Sequence, residues 1–137
     1  MKKKITIAVL LAAVAGLGVG LYLYNKPHRT AATEDAAFTM SASDLLKEYK
    51  INEIDANAKY LDKIIAVRGT IQTIEPTDSL AVNLYLNAND PMAAISCSFK
   101  EEQANSLKTK KVGDSITVKG ICTGILTDVE LMNCATQ

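Results

Sequence analysis

Three hydrophobic patterns follow one another along this chain. The first is an unbroken uncharged run, Ile5 to Tyr24, reading ITIAVLLAAVAGLGVGLYLY. A span of about 20 apolar residues matches the hydrocarbon core of a bilayer, and a backbone placed there can satisfy its own hydrogen bonds only as a helix. The second pattern is helical. Leu45, Leu46, Tyr49, Ile54, Ala58 and Leu61 recur mostly at three- and four-residue spacing, with one irregular step near Ile51-Asn52. This predicts two short helices, over 42–50 and 52–60. Ser41 followed by Asp44 opens the first in a loose form of the capping box.

After Asp62 the period changes from helix to strand. Ile65, Val67, Gly69 and Ile71 share one face of a first strand, and Gly69 in its middle predicts a bulge or bend. Glu75-Pro76-Thr77-Asp78 is a turn. Ser79 to Leu86 then alternates, with Leu80, Val82, Leu84 and Leu86 inward and Ala81, Asn83 and Tyr85 outward. A second turn, 87–91, leads to a strand with Ala93, Ile95, Cys97 and Phe99 inward. Lys100 to Thr109 is helix-permissive, anchored by Leu107. Ile116, Val118, Gly120 and Cys122 mark the inward face of a fourth strand, 123–127 a loop, and Val129 to Ala135 a fifth strand. Ile65, Val67, Leu80, Val82, Leu84, Ile95, Ile116 and Val118 are the expected core.

Three strands in a meander, a short helix and two more strands, with a bent first strand, is the order of the five-stranded OB-fold barrel. The fold class expected is therefore mainly β with helices, and the alternative is an open α+β sheet. The order implies three segments: an N-terminal transmembrane signal anchor over 1–24, a linker over 25–40, and an OB-fold domain over 41–137.

The flanks of the apolar run set an expected topology. Lys2, Lys3 and Lys4 precede it; Lys26 and Arg29 follow it. The more basic flank stays in the cytoplasm, so the domain is expected to face the periplasm or the cell exterior, from a single-pass inner-membrane anchor. Ala13-Val14-Ala15 has the form of a cleavage site. Apolar positions continue well beyond it, and Tyr22 and Tyr24 suit the membrane interface, so the anchor is expected to be retained. No cysteine ends the run, so it lacks a lipid-attachment site.

Charge changes the picture further. The chain has 15 basic and 15 acidic residues, but five of the basic ones lie within the first 29 and every acidic one lies after them. That leaves ten basic against fifteen acidic in the rest, a net charge of −5. Non-specific nucleic-acid binding draws on counterion release and needs the opposite sign. Cys97, Cys122 and Cys134 are spaced too widely for a redox CxxC pair or a zinc site. They read either as three buried small residues or as one disulfide plus a free thiol. In a tight final hairpin Cys122 and Cys134 are offset along the strands, which favours Cys97 with Cys134, because the third and fifth strands of such a barrel are neighbours.

Leu45-Leu46-x-x-Tyr49, Asn52-Glu53, Lys59-Tyr60 and Lys63-x-Ile65-x-Val67-x-Gly69 resemble the tRNA_anti-like family of OB-fold proteins. So do Cys97-x-Phe99, the run from Gly113-Asp114 through Val118, Gly120 and Cys122 to Gly124, and Asp128-Val129-x-Leu131-x-Asn133-Cys134. The likeness spans roughly residues 41–135. It implies the barrel and an exported or membrane-anchored setting, and it brings no catalytic residues.

Candidate chemistry is sparse. The one histidine, His28, lies in the linker, and no HExxH, P-loop or GxGxxG motif is present. The chain is therefore expected to be no enzyme and to use no cofactor or metal. An accessory role through a partner enzyme is a further class. Arg68, Thr70, Asn83, Tyr85, Ser96 and Ser98 would lie near the face where OB barrels take ligands. Lys108, Lys110 and Lys111 form a small basic cluster that reads as a solvated loop. The function expected is a membrane-anchored binding or interaction module for a protein, glycan or small molecule. The alternative is an OB protein that binds nucleic acid in the manner of an anticodon-binding domain, which wants a basic groove and several aromatic platforms.

Overall fold

A computed structural model describes residues 2–25 and 30–137; Met1 and 26–29, with Lys26, His28 and Arg29, lie outside the described residues. Helix α1, Lys2–Tyr24, contains the apolar run, and among the described residues none of that run is buried against the rest of the chain. A helix apolar all round that packs on nothing in its own chain needs another apolar environment. α1 thus has the length and composition of a membrane anchor or a signal segment.

The remainder is a barrel. Strand β1 is Phe38–Ser41, followed by α2, Ala42–Ile51, and α3, Glu53–Tyr60. Then come β2 (Ile64–Pro76), β3 (Val82–Asn87), β4 (Ala94–Phe99), the short helix α4 (Glu101–Ala104) with a 3-10 turn, β5 (Ser115–Ile125) and β6 (Val129–Thr136). The strands pair in the order β1-β2-β3-β4-β6-β5, and β2 pairs again with β5 to close the ring. β4 and β6 are parallel, the other barrel pairs antiparallel. This is the five-stranded OB arrangement expected from the element order. β1 is an added strand, parallel to β2.

The barrel holds Ile65, Val67, Leu84, Leu86, Ile95, Phe99, Val118 and Leu131, all buried. Each such side chain stabilises the fold by about 1.5–3 kcal/mol relative to leaving it in water. Leu45, Leu46 and Tyr49 of α2 join the same core, and Tyr60 of α3 packs edge-on against Phe38 at 5.2 Å. Ser41 caps α2 by accepting from the Asp44 N–H at 3.1 Å. Asn52 ends α2 and starts α3, its Oδ1 accepting from the N–H groups of Ile54 and Asp55. The bend foreseen at Gly69 appears just beyond it, as a register shift between Ile71 and Thr73.

Several readings change. Leu80 is not core: it sits in the β2–β3 turn at φ 60°, 68% exposed, and β3 starts at Val82, itself half-buried. The alternation simply ran on through a turn. In α3 the buried positions are Ala56 and Tyr60, while Ile54 is 80% exposed and Ala58 and Leu61 are also outside. The break at Asn52 resets the helical phase. β5 continues to Ile125, so the loop after it is only 126–128.

The segment read as linker also carries structure. Beyond β1, Ala31 is buried and its N–H bonds the Asn133 carbonyl at 3.2 Å. Lys119 Nζ donates to the Glu34 carbonyl at 3.0 Å, and Ala37 N–H to that of Ile64 at 2.7 Å. Residues 30–37 thus lie along the barrel. All three cysteines are buried free thiols. Burial pushes the Cys134 thiol up, and the Cys97 thiol beside it adds to the shift.

Candidate ligand face

On β3 and β4 the inward residues are Leu84, Leu86, Ile95, Cys97 and Phe99, so the alternation turns Asn83, Tyr85, Ser96 and Ser98 outward. Register joins them across strands. One row reads Thr73, Tyr85, Ser96, Glu130 over β2, β3, β4 and β6. The next reads Glu75, Asn83, Ser98. Paired residues point to the same side of a sheet, so each row is one continuous strip of surface.

A depression of about 250 Å³ opens on this surface, lined by Gln72, Thr73, Glu75, Tyr85, Asp90 to Ala94 and Asp128. Its far rim is built by two loops. In the β3–β4 loop, Asn87 Oδ1 accepts from the Asn89 N–H at 2.7 Å and Asp90 Oδ1 from the Met92 N–H at 3.0 Å. Asp128 of the β5–β6 loop accepts from the Ala94 N–H at 2.8 Å and ties the two loops together. Lys50 of α2 pairs with Asp90; that ammonium and then the Met92 N–H hold the Asp90 carboxyl below the usual range. The tips are apolar and bare: Met92 is 84% exposed and Leu126 86%. Among the described residues no lysine or arginine lines the depression.

Arg68 and Thr70 are not part of it. They line a second depression of about 280 Å³ with Ser41, Ser43, Asn87 and Asn89, against the start of α2. The two share no residue. The structure therefore brings Asn83, Tyr85, Ser96 and Ser98 together and sets Arg68 and Thr70 apart. Glu75, Asp90, Asp128, Glu130, Met92 and Leu126 escaped the sequence reading. Alternation along β6 carries the signal for Glu130. Glu75 was read as part of a turn, but β2 runs on to Pro76, and the bulge between Ile71 and Thr73 puts Glu75 on the outer face beside Asn83.

Elsewhere the polar contacts are structural. Tyr49 Oη and Cys122 Sγ lie 3.2 Å apart in the core, and burial pushes both groups up, away from any nucleophilic form. Glu48 Oε2 accepts from the Tyr60 hydroxyl at 2.6 Å and from Lys59 Nζ at 3.0 Å, joining α2 to α3. Among the described residues no group of three His, Cys, Asp or Glu side chains is placed to hold a metal ion.

Solved structures with this fold include a lipoprotein from Klebsiella pneumoniae subsp. pneumoniae MGH 78578 to which nucleic-acid binding is ascribed. It has TM-score 0.62 and 17% identity, covering 72% of this chain and 90% of that one. A protein assigned as an aspartyl-tRNA synthetase from Leishmania major Friedlin has TM-score 0.51 and 14% identity, covering 91% of this chain but 26% of its own. At these identities the likeness is one of fold. No curated protein sequence matches the chain. The model of one sequence family does match, over residues 1–136, so that it takes in α1 as well as the barrel. The barrel, its added helices and that match agree: the chain belongs to the tRNA_anti-like family.

Proposed function

We propose that the chain is a membrane-anchored OB-fold binding module with no catalytic activity, held by α1 and facing the periplasm or cell exterior. Its ligand face is the surface around Asn83, Tyr85, Ser96 and Ser98, and its ligand is a protein, glycan or small molecule in preference to a nucleic acid. The observation that carries this reading is the make-up of that face. Glu75, Asp90 and Asp128 line the depression with one tyrosine, Glu130 lies in the same row as that tyrosine, and among the described residues no basic side chain lines the depression. Phosphates are repelled there, and stacking would rest on Tyr85 alone.

A second reading is supported by the Klebsiella lipoprotein, to which nucleic-acid binding is ascribed. The test is to titrate the full chain, in phosphatidylcholine nanodiscs, against labelled single-stranded DNA, RNA and folded tRNA at about 0.15 M salt. The proposal expects no binding that depends on Tyr85. Micromolar binding weakened by Tyr85→Ala would establish the second reading instead. For topology, a reporter active only outside the cytoplasm, fused after Gln137, should give signal, and the mature protein should keep residues 5–24. In that oxidising compartment at most one disulfide is expected, Cys97 with Cys134, and non-reducing peptide mapping would reveal it.

A further inference from the structure

We propose that the Tyr85 face takes an extended, positively charged segment of a partner protein, with lysine or arginine side chains interleaved with apolar ones. This rests on the ligand-face reading above and adds the chemistry of the occupant.

Charge complementarity comes first. Glu75, Asp128 and Glu130 come from β2, the β5–β6 loop and β6, and none has an ion-pair partner among the described residues. Asp90 has one, Lys50, which reaches it from α2 outside the depression. Glu130 shares the row of Tyr85 and Glu75 lies in the next row, so carboxylates stand to either side of β3 on this face. The screening length at physiological salt is about 8 Å, so carboxylates gathered on one small face still act together on a nearby cation.

The apolar part of the site selects among cations. Lysine and arginine carry aliphatic stems that seek apolar surface while the charged head stays wet. Here Pro91 and Met92 line the depression beside Tyr85. A ring in that position also attracts a cation to its face, and methionine adapts its shape to varied contacts. The exposed tips Met92 and Leu126 extend the surface beyond the depression itself. A volume of about 250 Å³ holds one or two side chains, not a folded domain. A segment that lays alternate side chains into it and across the tips matches this shape. A bare polyamine has nothing to place on the tips.

The test uses the full chain in phosphatidylcholine nanodiscs and the fluorescein-labelled peptide Lys-Ala-Lys-Leu-Lys-Ala-Lys-Leu, read by anisotropy against empty nanodiscs. The same peptide with glutamate for lysine, spermine and a single-stranded DNA oligonucleotide are run beside it. The lysine peptide is expected to bind, the glutamate peptide not to bind, and spermine to compete only weakly. The Glu75→Gln/Glu130→Gln double variant should weaken peptide binding about tenfold, and Tyr85→Ala should weaken it too. The remote pair Glu101→Gln/Glu102→Gln on α4 should leave it unchanged. Equal losses from both acidic pairs, or spermine competing as well as the peptide, would overturn the proposal. DNA binding lost in Tyr85→Ala, with no peptide binding, would keep the face and reject its cationic occupant. If neither probe responds to Tyr85→Ala, the face itself is wrong.

Discussion

The two depressions on either side of the β2 bulge share a strand and differ in what a ligand would meet. The Tyr85 depression draws its lining from β2, β3, the start of β4 and two loops, and its charged residues are all acidic. The Arg68 depression draws on β2, the end of β3 and the start of α2, and surrounds one cation with hydroxyls and amides. A helix N-terminus attracts negative charge, but here the chain supplies its own. The Asp44 carboxylate accepts from Ser41 Oγ at 2.6 Å in the first turn of α2. One depression is thus an open acidic surface in which only Asp90, through Lys50, has an ion-pair partner among the described residues. The other meets a helix end whose electrostatic demand is already answered from within. A register shift between Ile71 and Thr73 separates them, so a local change in strand phase sorts charge on the outside of the barrel.

The largest test of this comparison cuts into the barrel core. Phe99→Ala should cost about 3–5 kcal/mol in urea unfolding of the detergent-solubilised chain. Asn83→Ala, on the outer surface of the adjoining strand, should stay within about 0.5 kcal/mol. Equal costs would mean that the strand phase turning Tyr85 outward is wrong. Next, Ser41→Ala should cost about 1 kcal/mol, the usual worth of an N-cap. It acts on the Arg68 side alone, so basic-peptide binding should be unaffected; a loss of binding would show that the depressions are coupled.

Smaller again is Lys50→Met. It removes an exposed ion pair, so stability should change by less than about 1 kcal/mol. It also frees the Asp90 carboxylate into the Tyr85 depression, and peptide binding should tighten. Weaker binding would place Lys50, rather than the carboxylates, in contact with the occupant. The smallest effect is a pH dependence on the helical side. Hydrogen bonds from Tyr60 and then Lys59 hold the Glu48 carboxyl below its usual range. A depressed carboxyl contributes stability that is fully present above its unfolded pKa, about 4.3, and is lost as pH falls through the folded value. Acid unfolding curves of Glu48→Gln should lack that part of the slope. Solvent screening keeps the effect small, since Glu48 is well exposed.

How far the sequence foretold all this varied with the kind of signal. Strand alternation foretold Leu84, Ile95 and Val118 as core and Asn83, Tyr85, Ser96 and Ser98 as surface, because a closed barrel buries one face of each strand. Alternation cannot mark its own end, and so Leu80 was drawn inward although the chain turns there at positive φ. Helical spacing located α2 and α3, but the second cap at Asn52 set a new phase that left Ile54 in solvent. β1 is four residues, too short to display a period, and its partner Ile65–Arg68 lies far along the chain. The candidate face was legible as a surface but not as a charge pattern. Glu75, Asp90, Asp128 and Glu130 are separated by up to 55 positions in sequence and come to one face through the β2–β3, β3–β4 and β4–β6 pairings and the bond from Ala94 to Asp128.

Ala31 shortens the leash. Because residues 30–37 lie along the barrel, the chain joining Asn25 to Thr30 is five peptide steps, a reach of at most about 18 Å. With α1 in a bilayer, the barrel rides at the lipid surface and cannot swing out to meet distant partners. Tethering of this kind raises the effective concentration of anything anchored alongside and shuts out targets beyond its span. The Tyr85 face would then survey a thin layer next to the membrane, where lateral diffusion, rather than encounter from bulk solution, brings a partner within reach.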